Sequence, residues 1–194
     1  MMRRRTLSLA LTAGLVSKAA SANDYPSRPV KVVVPISAGS ATDVVARLAA
    51  ESLREALSQP FLVDNRPGAG GSLGSAVVAK APPDGYTLLV VSSAHTANPA
   101  LYGSLPYDTA KEFRGITMLA TLPLILVVAP SGNIRSVKDL LALAKAKAGQ
   151  ITYASSGVGS ALHMGSEKFR AMAGFEGVHV PYRGTPEALT DVMA

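Results

Sequence analysis

The feature that most constrains the fold is a unit that recurs along the chain: a short apolar run, a loop rich in glycine and serine, and a stretch with helical periodicity. The first unit joins the apolar run 30–34, the loop 35–41 and a periodic segment over 42–59. Such alternation is typical of βα units, whose strands lie side by side in a parallel sheet. The pattern therefore predicts an α/β fold.

Later units repeat this order. We predict strands at 61–63, 86–91, 151–153 and 178–180, and helices at 72–80, 137–147, 161–173 and after the cap Thr185. Two segments do not follow the pattern. Residues 98–114 are predicted to be an irregular connection, and the apolar stretch 116–128, interrupted by Pro123, is predicted to form two strand pieces where the chain crosses between two lobes.

The N-terminus has the three parts of a secretory signal. Its first 22 residues contain three arginines directly after the initial methionines, then an apolar run over 7–16, then small residues at 20–22. This order is typical of a signal peptide, and the apolar run is too short to cross a bilayer. We expect cleavage after Ala22, which lowers the formal charge from +6 to +2 because four cations and no acid are removed.

Composition excludes several classes of protein. With 48% hydrophobic and 16% charged residues, the 194-residue chain can bury a core. The absence of cysteine excludes disulfides and thiolate metal sites. A weak charge on the mature chain and 5% aromatic residues give no support to nucleic-acid binding.

The stretch "NRPGAGGSLG" at 65–74 resembles two functional motifs. A dinucleotide-binding loop would need glycine at Leu73 and an acidic residue at a later strand end. A serine nucleophile elbow at Ser72 would need the serine in a sharp turn directly after the strand, but residues 66–70 intervene. Neither context is present, so we interpret Ser72 as the start of a helix, with a secreted serine hydrolase using Ser72 as the alternative.

Histidines and arginines give no further site by themselves. His163 and Glu167 are four residues apart and can share a helix face, but two ligands do not make a metal site, so no metal or cofactor is predicted. A hydrogen-bonding role is favoured for His163. His95 could contact a ligand or a neighbouring carbonyl group, and Arg47 and Arg54 are expected to be solvated or ion-paired.

Four loops do point to a binding site. Residues 35–42, 66–72, 92–96 and 155–160 are rich in glycine, serine and threonine, and each precedes a predicted helix. In a parallel sheet such loops meet at the carboxyl ends of the strands. Their amide groups, together with the positive ends of helix dipoles, can bind carboxylate or phosphate without a cationic side chain. The simpler interpretation for any single loop is that these residues only form turns and caps.

An ordered series of motifs also resembles a known family. The segments "YPSRPVKVVVP", "VDNRPGAGGSLG", "PPDGYTLL", "LPYDTAKEF", "ITYASSGVGSALHMGSEKF" and "VPYRGTPEALTD" are similar to those of the Bug, or TctC-like, extracytoplasmic solute receptors of tripartite tricarboxylate transporters. The likeness runs from Tyr25 to the last residue.

The resemblance implies a periplasmic binding protein of type II, a Venus flytrap with two lobes of βα units, and not an enzyme. Such a protein closes on a small carboxylate and delivers it to the membrane subunits of its transporter. We expect a signal at 1–22, a first lobe at 23–120 and part of a second lobe at 121–194. Family members are longer than this chain, so the second lobe is expected to be incomplete, and a non-functional truncated remnant is a further alternative.

The family's ligand loops can be carried onto this sequence. The resemblance implies contacts from four regions, although Ile36 and Ser40 stand where members often have an aromatic residue and a glycine. The implied ligand-binding residues are Ser37, Ala38, Gly39, Ser40, Thr42, Asp43, Ala69, Gly70, Ser92, Ser93, His95, Thr96, Ser155, Ser156, Gly157, Gly159, Ser160 and His163.

Overall fold

Three parallel strands form the first sheet of the computed structural model, which describes residues 25–194. The strands are β1 (Val30–Val34), β2 (Phe61–Asn65) and β3 (Thr87–Leu89), in the order β2-β1-β3. In this register Val32 of β1 is paired with Val63 and with Leu88. The predicted signal and its cleavage after Ala22 lie outside the described residues.

The core of this sheet is built from β-branched and small side chains. Four of the five residues of β1 are buried valines, as expected for a central parallel strand that is covered on its faces. The first helix, α1 (Ala41–Leu57), packs against the sheet through Ala46 and Ala50, whose small side chains allow close approach. The helices α2 (Ser72–Ala79) and α3 (Ala94–Leu101) follow β2 and β3.

The second sheet contains two parallel strands, β4 (Ile151–Ser155) and β5 (Gly177–Pro181). Its helices are α4 (Val137–Ala146), α5 (Ala161–Ala173) and α6 (Thr185–Met193). Serines cap two of them, because Ser136 accepts a hydrogen bond from the amide of Asp139 and Ser160 accepts one from the amide of His163. These elements confirm the predicted α/β fold with parallel sheets and βα units.

Two predictions of local structure are wrong. Residues 94–101 form α3, although the segment from residue 98 was predicted to be irregular. Pro99 makes the sequence look non-helical, whereas the buried side chain of Asn98 stabilises the helix. The stretch 116–128 forms no strand, since none of its backbone groups is paired with a neighbouring strand of the described residues. A smaller correction concerns α6, whose N-cap is Gly184 and not Thr185.

Helix length also bears on membrane association. Among residues 25–194, no helix is both long and apolar enough to cross a bilayer.

Candidate functional site

A cavity of about 2020 Å³ lies between the two sheets and receives the N-termini of five helices. Its lining includes Ser40 and Ala41 at the start of α1, Gly71 at the start of α2 and Ser93 at the start of α3. From the second sheet, α5 and α6 also direct their first residues to it. The unpaired amides and positive dipole ends of these helices give the cavity a preference for anions.

The charged side chains of the lining do not explain such a preference by themselves. Two arginines, Arg114 and Arg183, line the cavity together with two glutamates, Glu112 and Glu187. Their formal charges cancel. The lining is otherwise composed of small polar residues near the helix ends and apolar residues elsewhere. The backbone at the helix N-termini, and not a surplus of cationic side chains, is therefore the feature of this cavity that can attract an anion.

The loop before α1 is held in shape by Asp43. This buried carboxylate accepts hydrogen bonds from the amide of Gly39 at 2.8 Å, from Arg47 at 2.9 Å and from Asn65 at 2.8 Å. Burial by itself would raise the pKa of Asp43, but these three donors and the charge of Arg47 outweigh burial and lower the pKa below its ordinary value of 3.8. Asp43 is thus committed to its own loop.

The loop before α2 has a left-handed backbone. Ala69, Gly70 and Gly71 form a short 3-10 helix, and all three have positive φ angles. The amide of Gly71 donates to the carbonyl oxygen of Gly68 at 2.9 Å, so a hydrogen bond within the loop closes this turn. Ser72 begins α2, as predicted, and its side chain is almost completely buried. Among the described residues, His95 contacts Ser75 and not Ser72, so the hydrolase alternative is not supported.

His95 lies at the start of α3, in contact with Ser75 Oγ at 3.2 Å. Because that hydroxyl donates to the carbonyl group of Gly71, it accepts from Nδ1 of His95. The imidazole ring also packs edge to face with Phe113, 4.8 Å between centroids. Burial lowers the pKa of His95, so the ring is neutral near pH 7.

The helix α3 contacts the second sheet through the loop 155–160. The hydroxyl group of Tyr102 donates to the carbonyl oxygen of Val158 at 3.0 Å, and Asn98 donates to the carbonyl oxygen of Gly70 at 3.3 Å. There is no room for a side chain at Gly70, where a Cβ atom would lie 2.5 Å from the carbonyl oxygen of Val158. Loops from both sheets therefore meet at this glycine.

A second contact between the sheets is made by α6. The amide of Thr185 donates to Ser40 Oγ at 3.3 Å, so the N-termini of α6 and α1 face each other. Gly184 packs against Ser37, and Gly39 packs against Pro186. Arg183 and Thr185 were not among the predicted site residues. The sequence signal for this part of the site is Pro186, in the first turn of a helix that follows a strand and a glycine.

The structure brings together residues from all four predicted loops, but not every member faces the cavity. Those that line it are Ser40, Thr42, Ala69, Gly70, Ser92, Ser93, His95, Thr96, Ser156, Gly157 and Ser160. Those that do not line it are Ser37, Ala38, Gly39, Asp43, Ser155, Gly159 and His163.

His163 forms a hydrogen bond, the role that the sequence favoured for it over metal binding. Its Nδ1 accepts from the amide of Gly159 at 3.2 Å. In the part of the chain that the structure describes, no three histidine, aspartate or glutamate side chains are arranged to hold a metal ion.

Comparison with known proteins gives a consistent relationship. Residues 45–194 match the family model described as the tripartite tricarboxylate transporter family receptor. The chain is 38% identical over 195 residues to the UPF0065 protein in the tcbD-tcbE intergenic region of Pseudomonas sp. (strain P51), and the match covers 99% of this chain and 58% of that protein.

Two solved structures are also similar. Rpa4515 of R. palustris with adipate superimposes with a TM-score of 0.84 at 38% identity, covering 87% of this chain and 57% of that one. MatC (Rpa3494) from Rhodopseudomonas palustris with bound malate superimposes with a TM-score of 0.79 at 30% identity, with the same coverage. The chain thus spans somewhat more than half the length of the proteins it matches, and it belongs to the tripartite tricarboxylate transporter receptor family.

Proposed function

We propose that this member of the tripartite tricarboxylate transporter receptor family binds a small carboxylate in the cavity between its two sheets and is not an enzyme. The observation that carries the proposal is the convergence of five helix N-termini on one cavity whose charged side chains cancel. Carboxylates suit such a site because each oxygen accepts several N–H bonds. Adipate and malate, bound in the two similar structures, belong to this chemical class.

We propose further that the binding residues are the predicted loop residues that line the cavity, together with Thr185 and Arg183. Residues 23–120 and 121–194 would act as two lobes that move about the segment near residue 120. Closure would bring the amides of both lobes onto one ligand. The two separate sheets support this division, and the contacts of Tyr102 with Val158 and of Thr185 with Ser40 join the two parts beside the cavity.

The setting of the function is proposed from the sequence and the family. A signal peptide cleaved after Ala22 would place the protein in the periplasm. There it would present the carboxylate to the membrane subunits of a tripartite tricarboxylate transporter, which fits the family's description as a transporter receptor.

A comparison of a charged ligand with an uncharged ligand of the same length tests the proposal. Adipate at about one hundred times its dissociation constant should raise the melting temperature of the chain by roughly 5 to 10 °C, because ligand binding stabilises only the folded state. Adipamide, which has the same length without the charges, should give no shift at equal ionic strength. Equal shifts with the two compounds would contradict anion recognition by the helix N-termini.

A pair of variants tests the location of the site. Ala41→Glu places a carboxylate on the first residue of α1, in the cavity lining, and should weaken adipate binding roughly tenfold by charge repulsion. Val137→Glu places the same group on the first residue of α4, which does not border the cavity, and should leave adipate binding unchanged. Similar losses in both variants would refute the proposed site.

A further inference from the structure

The loop 155–160 begins with a buried serine whose hydroxyl group is fixed by a histidine of the neighbouring strand. Ser155 is fully buried, and its Oγ lies 2.6 Å from Nε2 of His179 on β5. The same Oγ accepts from the amide of Gly157 at 3.2 Å. Its carbonyl contact with Gly157 is longer, at 3.3 Å, so the single hydroxyl proton is directed to His179. Ser155 Oγ can donate to Nε2 of His179 only while that nitrogen carries no proton.

The ring of His179 is held in place by two stacked neighbours. Tyr153 on β4 lies 5.1 Å away between centroids at an interplanar angle of 19°. His163 on α5 lies 4.2 Å away at 25°. His163 in turn accepts a hydrogen bond from the amide of Gly159. The two stacked imidazoles therefore connect to two glycine amides of the same loop, Gly159 directly and Gly157 through Ser155. Each imidazole can accept these bonds only while the nitrogen concerned is unprotonated.

Burial, and not the charged groups around the stack, is the main cause that favours a neutral His179. Glu167 of α5 faces the stack, but its carboxylate is already bound by Arg170 and by the hydroxyl group of Tyr153. Glu176 and Arg170 border the same recess as His179. Burial and the nearby His163 lower the pKa of His179, and Glu167 opposes them only in part.

Ser155 and His179 do not line the cavity, whereas Ser156, Gly157 and Ser160 do. We infer that His179 is a positioning residue for the ligand loop 155–160, and that it acts in its neutral form through the hydroxyl group of Ser155. The inference rests on the proposed function, because that function makes the loop part of the ligand site. Its consequence is that acidification loosens the loop and weakens ligand binding.

The inference is tested by hydrogen exchange of the loop in the free protein. His179→Phe keeps an aromatic ring for stacking but removes Nε2, and Ser155→Ala removes the hydroxyl group. His179→Phe should speed exchange in peptides that cover 155–160 by roughly 3- to 10-fold, the effect of losing one hydrogen bond. Ser155→Ala also removes the acceptor of the Gly157 amide, so its exchange should be at least as fast as that of His179→Phe. The double variant should exchange no faster than Ser155→Ala, since both lack the bond between Oγ and Nε2. Val178→Ala, on the opposite face of the same strand, is the matched control and should behave like wild type.

A pH series and adipate binding complete the test. Between pH 7.5 and pH 5.5 the wild-type loop should lose protection, after correction for intrinsic exchange, and adipate affinity should fall with it. In His179→Phe both changes should be smaller, and adipate affinity at pH 7.5 should already be roughly 3- to 10-fold lower.

Any of three results would overturn the inference. The increases in exchange rate of the two single variants could multiply in the double variant, the pH dependence of loop exchange could be unchanged in His179→Phe, or Val178→Ala could speed loop exchange as much as His179→Phe does. Failure of the wild-type chain to bind adipate at any pH would count against the proposed function for this probe. In that case the exchange data alone would decide whether His179 positions the loop.

Discussion

Asp43 shows at the scale of a single residue how a buried carboxylate organises a binding loop without facing the cavity. Its two oxygens accept bonds from the backbone before α1, from the side chain of Arg47 on the same helix, and from Asn65 at the end of β2. The negative charge also lies in the first turn of α1, where the helix dipole favours it. One side chain thus joins a loop, a helix and a strand at the edge of the site.

Removal of this carboxylate should destabilise the protein. Asp43→Ala removes the acceptor of the Gly39 amide and one of the two acceptors of Asn65 Nδ2, which keeps only the carbonyl oxygen of Ile36. We expect the free energy of unfolding to fall by about 2 to 4 kcal/mol. The measurement is urea denaturation at pH 7. Glu51→Gln, which breaks only the exposed pair of Glu51 with Arg54, should leave the urea midpoint where it is. Equal midpoints for the two variants would show that Asp43 has no organising role.

The histidines make stability depend on pH. Burial is the first cause that lowers the pKa of both His95 and His179 below 6.5, so below that pH the unfolded chain binds more protons than the folded chain. The free energy of unfolding should therefore fall as the pH decreases from 7.5 to 5.5. Glu167, whose pKa is lowered to about 2 by Arg170 and Tyr153, stays ionised throughout this range, so its contribution to stability is constant here and is lost only as the pH falls below about 4.5.

Urea denaturation of the double variant His95→Phe/His179→Phe checks this assignment. Its midpoint should vary less with pH than that of wild type, since neither replaced side chain can bind a proton. An unchanged slope would assign the pH dependence to other groups.

At the scale of elements, the site depends on two glycines at which loops of different sheets approach each other. A Cβ atom at Gly70 would meet the carbonyl oxygen of Val158, and one at Gly159 would lie 3.4 Å from the side chain of Asn98. Both glycines have positive φ angles. The short helix α3 lies between them and contacts both loops.

A pair of glycine variants separates backbone strain from contact between the loops. Gly70→Ala and Gly174→Ala introduce a side chain at similar φ angles, 59° and 67°, so both should lose about 1 to 2 kcal/mol through strain. At Gly174 nothing lies within 4 Å of the added Cβ atom, whereas at Gly70 the added atom must displace Val158. We expect Gly70→Ala to lower the melting temperature further than Gly174→Ala and to abolish adipate binding. Identical melting temperatures would show that the close approach at Gly70 has no energetic weight.

Most elements could be predicted from the sequence because their signals are local. The valines of β1, the serine cap of α4 and the serine cap of α5 each act within a few residues of their own position. The exceptions depend on distant parts of the chain. Helix α3 contains Pro99 and is fixed by the burial of Asn98, and the apolar stretch 116–128 has strand composition but no strand partner in residues 25–194.

The candidate site divides in the same way. Glycine and serine before a helix are visible in sequence, so all four loops of the first prediction could be identified. The sequence could not show which residues of each loop face the cavity. Asp43 and Ser155 are polar residues beside a predicted helix start, like their neighbours, but they do not line the cavity. The α6 N-terminus was missed because its proximity to Ser40 is a contact across 145 residues of chain.

At the scale of the whole molecule, the stretch 116–127 exposes an unusual amount of apolar surface. Ile116, Met118 and Ile125 are each between 77% and 80% exposed, and Leu124, Leu126 and Val127 are about half exposed. Residues 116–125 and 127 border the cavity, and large apolar surfaces of this kind mark binding grooves or lead to association. The chain is therefore expected to bind hydrophobic dyes and to self-associate at high concentration.

A charged double variant tests this expectation. Met118→Glu/Ile125→Glu should reduce fluorescence of a hydrophobic dye at least twofold and reduce self-association measured by light scattering, since it interrupts the exposed stretch. Met172→Glu is the control, because Met172 is 79% exposed but lies on α5, outside that stretch. An equal reduction in both variants would mean that dye binding does not depend on 116–127.

The contact of Thr185 with Ser40 has a consequence for the order of folding. The two residues are 145 positions apart, and closing a loop of this length costs about 4 kcal/mol of chain entropy. The first sheet needs no such closure, because its strands lie within residues 30–89. We therefore expect Ser40→Ala to accelerate unfolding and to leave the refolding rate unchanged, as for contacts that form after the rate-limiting barrier. By this reasoning the ligand cavity is the last part of the molecule to assemble and the first to come apart.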